Sequence, residues 1–312
     1  MKKIVDVAAG VITRPDGSFL LGQRAPGTFY PGYWEFPGGK VESGETPAAA
    51  LVRELDEELG IRVHALNPWL MREHHYEHAH VCLHFFEVHD WSGEVNDHVH
   101  SALAWQWADR LEVAPMLPAN GPILKALRLP RTMGITHAGE IGVAAQLAAL
   151  DAALSAGLRL VQVREPLLDE DERGAFAVGV VRRAHAAGAL VVINGDEALA
   201  RACGADGVHL RAAQLAALEA RPDLPWVGAS CHSRTELERA AALELDYAVL
   251  GAVRETPTHP GQAALGWDGF GRLAAELSIP VLALGGVAPA DMSAARASGA
   301  HGIAAIRGAW AA

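Results

Sequence analysis

The chain has 312 residues, of which 50% are hydrophobic, and a formal net charge of −11 from 26 basic and 37 acidic side chains. This length suggests two domains, and the acidic balance argues against a nucleic acid polymer as a partner. We find no apolar run long enough to span a membrane, no secretory leader and only three scattered cysteines. We therefore expect a cytoplasmic protein with reduced thiols and no membrane partner.

The first segments of the chain are predicted to be β-strands. Apolar, β-rich runs cover Ile4–Ile12 and Phe19–Leu21, and the sequence Arg14-Pro15-Asp16-Gly17 between them is typical of a turn.

A helix with two distinct faces is predicted next. Thr46 is a good N-cap, Pro47 suits the first helical position, and Gly60 is the matching stop. At about 100° per residue, one side carries Ala48, Leu51, Leu55 and Leu59, and another side carries Glu54, Glu57 and Glu58. One face is expected to pack against the protein, and the other to bind something.

The three glutamates of this helix point to a cation. Carboxylates at i, i+3 and i+4 repel one another, so the helix gains nothing from them unless a cation neutralises the group. Hard oxygen ligands of this kind suit Mg²⁺ or Mn²⁺, which also take oxygens from substrate phosphates. The alternative for such a triplet by itself is a solvated acidic face.

The segment from Gly39 to Ile61 resembles the Nudix box: a glycine, five residues, Glu45, seven residues, Arg53-Glu54, then Leu55-Asp56-Glu57-Glu58-Leu59-Gly60-Ile61. The resemblance implies an α/β/α sandwich fold and hydrolysis of a nucleoside diphosphate linkage. It implies that Glu54, Glu57 and Glu58 hold the metal, with the carbonyl of Gly38 as an extra ligand. It also implies that Glu54 or a neighbour activates water, and that Arg53 and Glu45 lock the loop against the helix.

The flanking segments are similar to one branch of this family, the MutT-type 8-oxo-dGTP diphosphatases. They are Arg24, the run from Tyr33 to Gly39, and Pro118-Ala119-Asn120. The resemblance implies that Phe36 packs against the purine and that Arg24 lies at the rim of the base pocket. The Asn120 amide would read the Hoogsteen edge of an oxidised guanine with one donor and one acceptor. Taken singly, Phe36 is typical of a core and Asn120 of a turn or cap.

The expected reaction is therefore the Mg²⁺- or Mn²⁺-dependent cleavage of 8-oxo-dGTP to 8-oxo-dGMP and pyrophosphate. This activity would remove oxidised nucleotides from the pool and so serve DNA repair.

One position departs from the family pattern. Family members often carry a further metal-binding Glu before the Trp that we match to Trp105, and here Val99 stands in its place. Asp97, His98 and His100 are the candidates to substitute for it.

The same region is rich in histidine. A strand through His78, His80 and His84 would put these side chains on one face, as in a zinc site. We do not expect one, because no Cys or carboxylate spacing supports it and histidines on a solvated strand face are commonplace. Cys82 is expected to point the other way.

From Thr132 onward the chain alternates short aliphatic runs with alanine-rich helical stretches. The runs are Gly134–Thr136, Leu158–Val163, Leu190–Asn194, Gly207–Leu210, Trp226–Ser230, Tyr247–Gly251, Pro280–Leu284 and Gly302–Ile306. This pattern predicts a compact (β/α)₈ TIM barrel. We place one domain at residues 1–130 and the barrel at residues 132–312.

The barrel half resembles the thiamin phosphate synthase and TenI group. The matching segments are Gln162-Val163-Arg164, Asn194, the run from Gly204 to Leu210, the run from Gly228 to Ser233, Thr256-Pro257-Thr258-His259, Gly285-Gly286-Val287 and Gly299-Ala300-His301-Gly302. The similarity covers nearly the whole half.

Charged groups that the synthases use are missing here. Synthases carry an Asp directly after the matching Asn to bind Mg²⁺, where this chain has Gly195; a second Asp matches Gln214, and a pyrophosphate-binding Lys matches His259. Without two ligands and a cation, the departure of diphosphate loses most of its electrostatic support. We expect no synthase activity.

A site for a small phosphate ester is nevertheless expected in the barrel. Gly285-Gly286 and Arg307-Gly308 stand where backbone N–H groups cradle a phosphate in this fold, although Gly-Gly alone could simply make a tight turn. The expected ligand-site residues are Arg164, Asn194, His232, Thr256, Thr258, Gly285 and Gly286. His232 matches the histidine that moves protons in TenI tautomerases, so tautomerase activity, ligand binding alone and a vestigial barrel stay open.

A second reading of the whole chain is a bifunctional thiamin-pathway protein. In it the barrel would bind or isomerise a thiazole phosphate and the other half would trim a thiamin-type diphosphate. The base-pocket segments favour a nucleoside triphosphate instead, and the sequence leaves the oligomeric state open.

Overall fold

A computed structural model describes residues 4–77, 79–255 and 263–310. The chain divides into two compact units. The first comprises Met1–Arg128 with Ala275–Ser278, and the second comprises Leu129–Ala274 with Ile279–Ala312. Among the described helices, none combines the length and the apolar character needed to cross a membrane.

The first unit is a pair of sheets with two helices. Its elements are β1 (Ile4–Ile12), β2 (Phe19–Gln23), β3 (Trp34–Glu35), β4 (Gly38–Lys40), α1 (Pro47–Leu59), β5 (Arg62–His75), β6 (His80–Ser92), β7 (Ala102–Gln106) and α2 (Gly121–Leu127). One sheet has the strand order β4-β1-β6-β5 and the other the order β3-β2-β7. Only β1 and β6 pair in parallel among these strands as described.

Helices cover both faces of the larger sheet. The leucines of α1 pack on one face, against Ala8, Ile12 and Val88. On the other face Ile123 of α2 packs with Val11 and other residues. The predicted α/β/α sandwich is therefore confirmed. Because both faces of the sheet are covered, β1 is buried continuously from Ala8 to Ile12.

The second unit is a closed barrel of eight parallel strands, from β8 to β15 in chain order. The strands are β8 (Thr132–Ile135), β9 (Leu160–Val163), β10 (Leu190–Asn194), β11 (Gly207–Leu210), β12 (Trp226–Cys231), β13 (Tyr247–Gly251), β14 (Val281–Leu284) and β15 (Gly302–Ala305). The helices are α3 (Ala138–Ile141), α4 (Val143–Ser155), α5 (Glu170–Ala186), α6 (Glu197–Cys203), α7 (Ala212–Ala217), α8 (Arg234–Ala242), α9 (Gly266–Ala274) and α10 (Met292–Ala297).

The barrel is filled by side chains rather than open. Met133, Leu160, Val192, Tyr247 and Leu282 belong to one buried cluster contributed by different strands, as expected for a barrel interior. The predicted (β/α)₈ architecture is confirmed, and β10, β11 and β13 have the predicted bounds.

One sequence expectation about β6 is wrong. Cys82 does not point away from His84. Residues 80, 82 and 84 are every second residue of one strand, so their side chains lie on the same face of the sheet. The Cys82 thiol and the His84 ring lie close together, with Asp6 of β1 beside them.

Candidate active site and barrel cavity

Local sequence fixes both ends of the acidic helix α1. The Thr46 hydroxyl accepts a hydrogen bond from the Ala49 N–H at 3.2 Å, and Pro47 occupies the first turn. Gly60 ends the helix in the left-handed conformation, with φ of 67°. These caps were predicted, and they hold the glutamates of the helix in place against β4.

The loop glycines let the helix carboxylates approach the backbone. A Cβ atom on Gly39 would overlap the Glu54 carboxylate, so only glycine allows this approach. Glu54 is mostly buried, with 16% of its side chain exposed, whereas Glu57 is 60% exposed. The cluster therefore extends from the sheet edge to solvent.

Arg53 joins the glycine loop to the helix. Its guanidinium binds Glu45 through Nε and Nη2, both at 3.1 Å, and it donates to the Lys40 carbonyl at 3.2 Å. The same group reaches Glu54 at 2.9 Å and Glu57 at 3.2 Å. One cation thus orients two carboxylates of the cluster, in addition to holding the loop.

The glutamate cluster is short of positive charge at Glu58. Burial raises the pKa of the Glu58 carboxyl to about 7, and the charges of Glu54 and Glu35 add to this effect. The Gly38 N–H opposes it as a hydrogen-bond donor. The buried Oε2 atom of Glu58 has no hydrogen-bond partner among the described residues. An unpaired carboxylate oxygen among other hard oxygen donors fits a divalent cation.

Glu35 is a residue of this site that sequence reasoning missed. It lies in β3, its side chain is 22% exposed, and its charge acts on Glu58. Arg24 holds it with one nitrogen, at 2.7 Å and 2.6 Å from the two carboxylate oxygens. Burial raises the pKa of Glu35, and Arg24 opposes that shift. The available signal was its place in the strand before the glycine loop.

The predicted base-pocket residues Phe36 and Asn120 are both 4% exposed. The Phe36 ring packs against the rings of Phe19 and Phe85, with centroids 5.7 Å and 5.8 Å apart. Asn120 ends a short 3₁₀ turn that leads into α2. Its side-chain Nδ2 is buried and has no partner among the described residues.

Aromatic rings adjoin these residues. Tyr30 lies 5.3 Å from Tyr33 and 5.5 Å from Tyr76, measured between ring centroids. The Tyr76 hydroxyl meets the backbone of Ala119, next to Asn120; burial raises the pKa of Tyr76 and this backbone contact opposes the shift. These tyrosines have no helical or strand periodicity in the sequence, so no pattern pointed to them.

In the second unit, a cavity of about 490 Å³ opens at the carboxyl ends of the barrel strands. Arg164, Asn194, His232, Gly285 and Gly286, all expected in a ligand site, line it together. Thr256 and Thr258 lie outside the described residues. Strand ends of a TIM barrel are where its ligands bind, so the topology alone gathers residues that are far apart in sequence.

The charged side chains in the cavity lining are mainly positive. Among the described residues it carries the guanidinium groups of Arg164, Arg211 and Arg307 and one carboxylate, that of Glu255. Gly285 and Gly286 both have positive φ, at 100° and 64°, and a Cβ on Gly285 would press on Ala252 at 2.6 Å. Such a lining suits an anion.

The floor of the cavity holds a buried hydrogen-bonded histidine. His209 meets the Tyr247 hydroxyl at 3.1 Å and the Ser230 hydroxyl at 2.9 Å through its two ring nitrogens. Burial lowers the pKa of His209 to about 3, with the positive charge of Arg164 adding to this. The ring is therefore neutral at physiological pH.

Comparison with known proteins agrees with both geometries. The NUDIX domain model matches residues 3–127, and the model described as thiamine monophosphate synthase matches residues 132–309. The chain therefore belongs to both families. Its NUDIX half is a hydrolase acting on phosphoric anhydrides.

Three curated relatives show how much of each family is present. A CTP pyrophosphohydrolase of Escherichia coli is 39% identical over 124 residues, which is 40% of this chain and 91% of that protein. An 8-oxo-dGTP diphosphatase of Haemophilus influenzae is 39% identical over 128 residues, which is 40% of this chain and 93% of that protein. A thiamine-phosphate synthase of Thioalkalivibrio sulfidiphilus is 37% identical over 167 residues, which is 52% of this chain and 78% of that protein.

Around Val99, where the resemblance implied a further glutamate, the chain forms a loop that hydrogen-bonds to itself. Val99 is 51% exposed. The Asp97 carboxylate accepts the backbone N–H groups of Val99 and His100, and the His98 N–H donates to the Glu58 carbonyl at 3.1 Å. The His100 ring packs over Gly22. Among the carboxylates whose charge acts on Glu58, that of Glu35 comes from outside α1.

In the synthase-family half, Gly195 and Gln214, the two positions where the resemblance implied carboxylates, bond to each other. The Gln214 amide donates to the Gly195 carbonyl at 2.9 Å and accepts from the Arg211 N–H at 3.0 Å. Asp196, one residue further on, is used as the N-cap of α6 and accepts from the Leu199 N–H. His259 lies outside the described residues.

Proposed function

We propose that the NUDIX half, taken as residues 1–130, is a Mg²⁺-dependent diphosphatase that converts 8-oxo-dGTP to 8-oxo-dGMP and pyrophosphate. The observation that carries this proposal is the buried Asn120 Nδ2 without a partner among the described residues. A buried amide donor costs roughly 1–3 kcal/mol when it is left unpaired, so its natural partner is a ligand acceptor. The exocyclic oxygens of an oxidised guanine are acceptors of this kind.

The metal site of this proposal is the glutamate cluster. Glu54, Glu57 and Glu58 would hold the cation, with the Gly38 carbonyl nearby, and Mn²⁺ would serve as well as Mg²⁺. The cation neutralises phosphate charge and supplies an activated water.

The chain's own groups contribute orientation and proton transfer. Arg53 fixes the Glu54 and Glu57 carboxylates and ties them to the loop through Glu45. Glu54, mostly buried and adjacent to Glu58, is the group we assign to accept a proton from the attacking water. Arg24 holds Glu35 against the cluster, and we assign Arg24 to the rim of the base pocket.

For the barrel, taken as residues 132–312, we propose binding of a small phosphate ester without synthase activity. The guanidinium lining and the glycine loop support anion binding. The Gln214–Gly195 hydrogen bond and the nearby Arg211 stand where the synthases use carboxylates, so no carboxylate pair is available there for Mg²⁺.

A hydrolysis screen of the full-length protein tests the substrate. Under saturating Mg²⁺, 8-oxo-dGTP is expected to have a higher kcat/KM than dGTP, CTP or thiamin diphosphate. CTP as the best substrate would overturn the assignment of the base, and thiamin diphosphate as the best substrate would favour a role in thiamin metabolism.

A further inference from the structure

Strands β1, β5 and β6 carry metal-ligating side chains outside the two sites described above. Asp6, Cys82 and His84 form one group whose donor atoms all lie within 4.8 Å of one another. Glu73, His75 and His80 form a second group of the same kind beside it. The glutamate cluster of α1 uses neither set.

Strand pairing places the first group with little freedom. β1 and β6 run parallel through nine residue pairs from Ile4–His80 to Ile12–Val88, with Asp6 opposite Cys82. Cys82 and His84 are two residues apart on β6, so their side chains lie on one face of the sheet. Asp6, opposite Cys82, lies on the same face. The three ligands therefore come from two neighbouring strands whose register is fixed by a long ladder.

The donor atoms are close to the spacing of a bound ion. The His84 Nε2 and Asp6 Oδ1 atoms are 2.9 Å apart, and the Cys82 thiol hydrogen-bonds Asp6. Ligand bonds of about 2.0–2.3 Å in a tetrahedron separate neighbouring donors by roughly 3.3–3.8 Å.

The chemistry of the three donors selects the ion. One sulfur, one imidazole nitrogen and one carboxylate oxygen suit Zn²⁺, whereas Mg²⁺ requires oxygen ligands. Cys82 is 7% exposed, but the side chains of Asp6 and His84 are 53% and 17% exposed. An ion can therefore enter from solvent and keep its fourth position open to water.

We propose that Asp6, Cys82 and His84 form a Zn²⁺ site of the NUDIX half, separate from its Mg²⁺ site. Binding joins β1 to β6 through a metal and thereby stabilises the sheet that supports α1.

Cobalt substitution tests this site without relying on activity. Co²⁺ is added to the metal-free full-length protein in the presence of excess Mg²⁺, and absorption from thiolate-to-cobalt charge transfer is recorded in the near ultraviolet. Wild type is expected to show the band at one equivalent and to lose it when Zn²⁺ is added. The Cys82→Ser variant is expected to lack the band.

Matched variants identify the ligands. Cys203→Ser and Cys231→Ala remove the other thiols, and both are expected to keep the band. Asp6→Asn changes an exposed side chain and is expected to weaken Zn²⁺ binding at least tenfold with an unchanged far-ultraviolet circular dichroism spectrum. Zn²⁺ is expected to raise the thermal unfolding temperature of wild type but not of Cys82→Ser.

Three results would overturn the proposal. They are the absence of the band in wild type, its persistence in Cys82→Ser, and unchanged Zn²⁺ affinity in Asp6→Asn. Loss of Zn²⁺ binding in His80→Ala with full binding in Cys82→Ser would move the site to the neighbouring group.

Discussion

The acidic helix and the barrel mouth both lie where phosphate chemistry is expected, but they differ in charge. On α1, Glu54, Glu57 and Glu58 gather with few cations to balance them, and the unpaired Glu58 oxygen fits a metal. In the barrel, Gly195 and Gln214 bond to each other beside the guanidinium of Arg211. Both halves retain a family fold, but of the two described places compared here only α1 carries a cluster of carboxylates.

The largest expected effect comes from removing a metal ligand on α1. Glu57→Gln keeps the size of the side chain but not its charge, so kcat for nucleotide hydrolysis at saturating Mg²⁺ should fall by about 10²-fold or more. Asp56→Asn, an exposed change on the same helix, is the matched control and should leave kcat unchanged. Near wild-type turnover in Glu57→Gln would sink the metal assignment.

Specificity should depend on the donor of Asn120. Asn120→Ala is expected to reduce the preference for 8-oxo-dGTP over dGTP by roughly 1–3 kcal/mol. Asn120→Asp removes the donor and keeps an acceptor, so it should lose a similar share of the preference. Equal losses of kcat/KM on both nucleotides would make Asn120 a structural residue.

In the barrel, we expect anion binding without synthase activity. Arg164→Ala removes a guanidinium from the cavity lining and should weaken binding of a small phosphate ester about tenfold, measured by calorimetry. Arg182→Ala, an exposed change on α5, is the control.

His232→Ala should impair any thiazole isomerisation without abolishing the binding of the phosphate ester. If wild type binds no phosphate ester at millimolar concentration, the barrel is only a scaffold.

The smallest expected effect concerns stability without metal. The pKa of Glu58 is raised from 4.5 to about 7 in the folded protein. Its stabilising contribution is therefore complete below pH 4.5 and is lost as the pH rises through about 7. In EDTA at pH 8, Glu58→Gln should raise the free energy of unfolding of the NUDIX half by roughly 1–3 kcal/mol. The difference in stability between this variant and wild type should shrink toward pH 5. A thermal unfolding series checks this, and a destabilised variant at pH 8 would contradict it.

Much of the fold could be predicted from local patterns. The caps Thr46 and Gly60 and the strand run Ile4–Ile12 depend on neighbours in sequence, and each of the eight aliphatic runs of the barrel overlaps one strand. Such features can be predicted without knowing which distant residues come into contact.

Residues brought together by long-range pairing were harder to predict. The charge of Glu35 in β3 acts on Glu58 in α1 only through the tertiary fold, and the Asp6–Cys82 neighbourhood depends on the parallel pairing of β1 with β6. The error over Cys82 was local, since the two-residue period of β6 already put it on the face of His84.

The most direct test of the difference between the two halves is a pair of assays on one full-length preparation in one Mg²⁺ buffer. One assay measures 8-oxo-dGTP hydrolysis, and the other measures thiamin phosphate formation from the pyrimidine diphosphate and the thiazole phosphate. We expect hydrolysis that is lost in Glu57→Gln and retained in Arg164→Ala, with no thiamin phosphate formed by any variant. Synthase turnover above background, or hydrolysis that survives Glu57→Gln, would contradict the account.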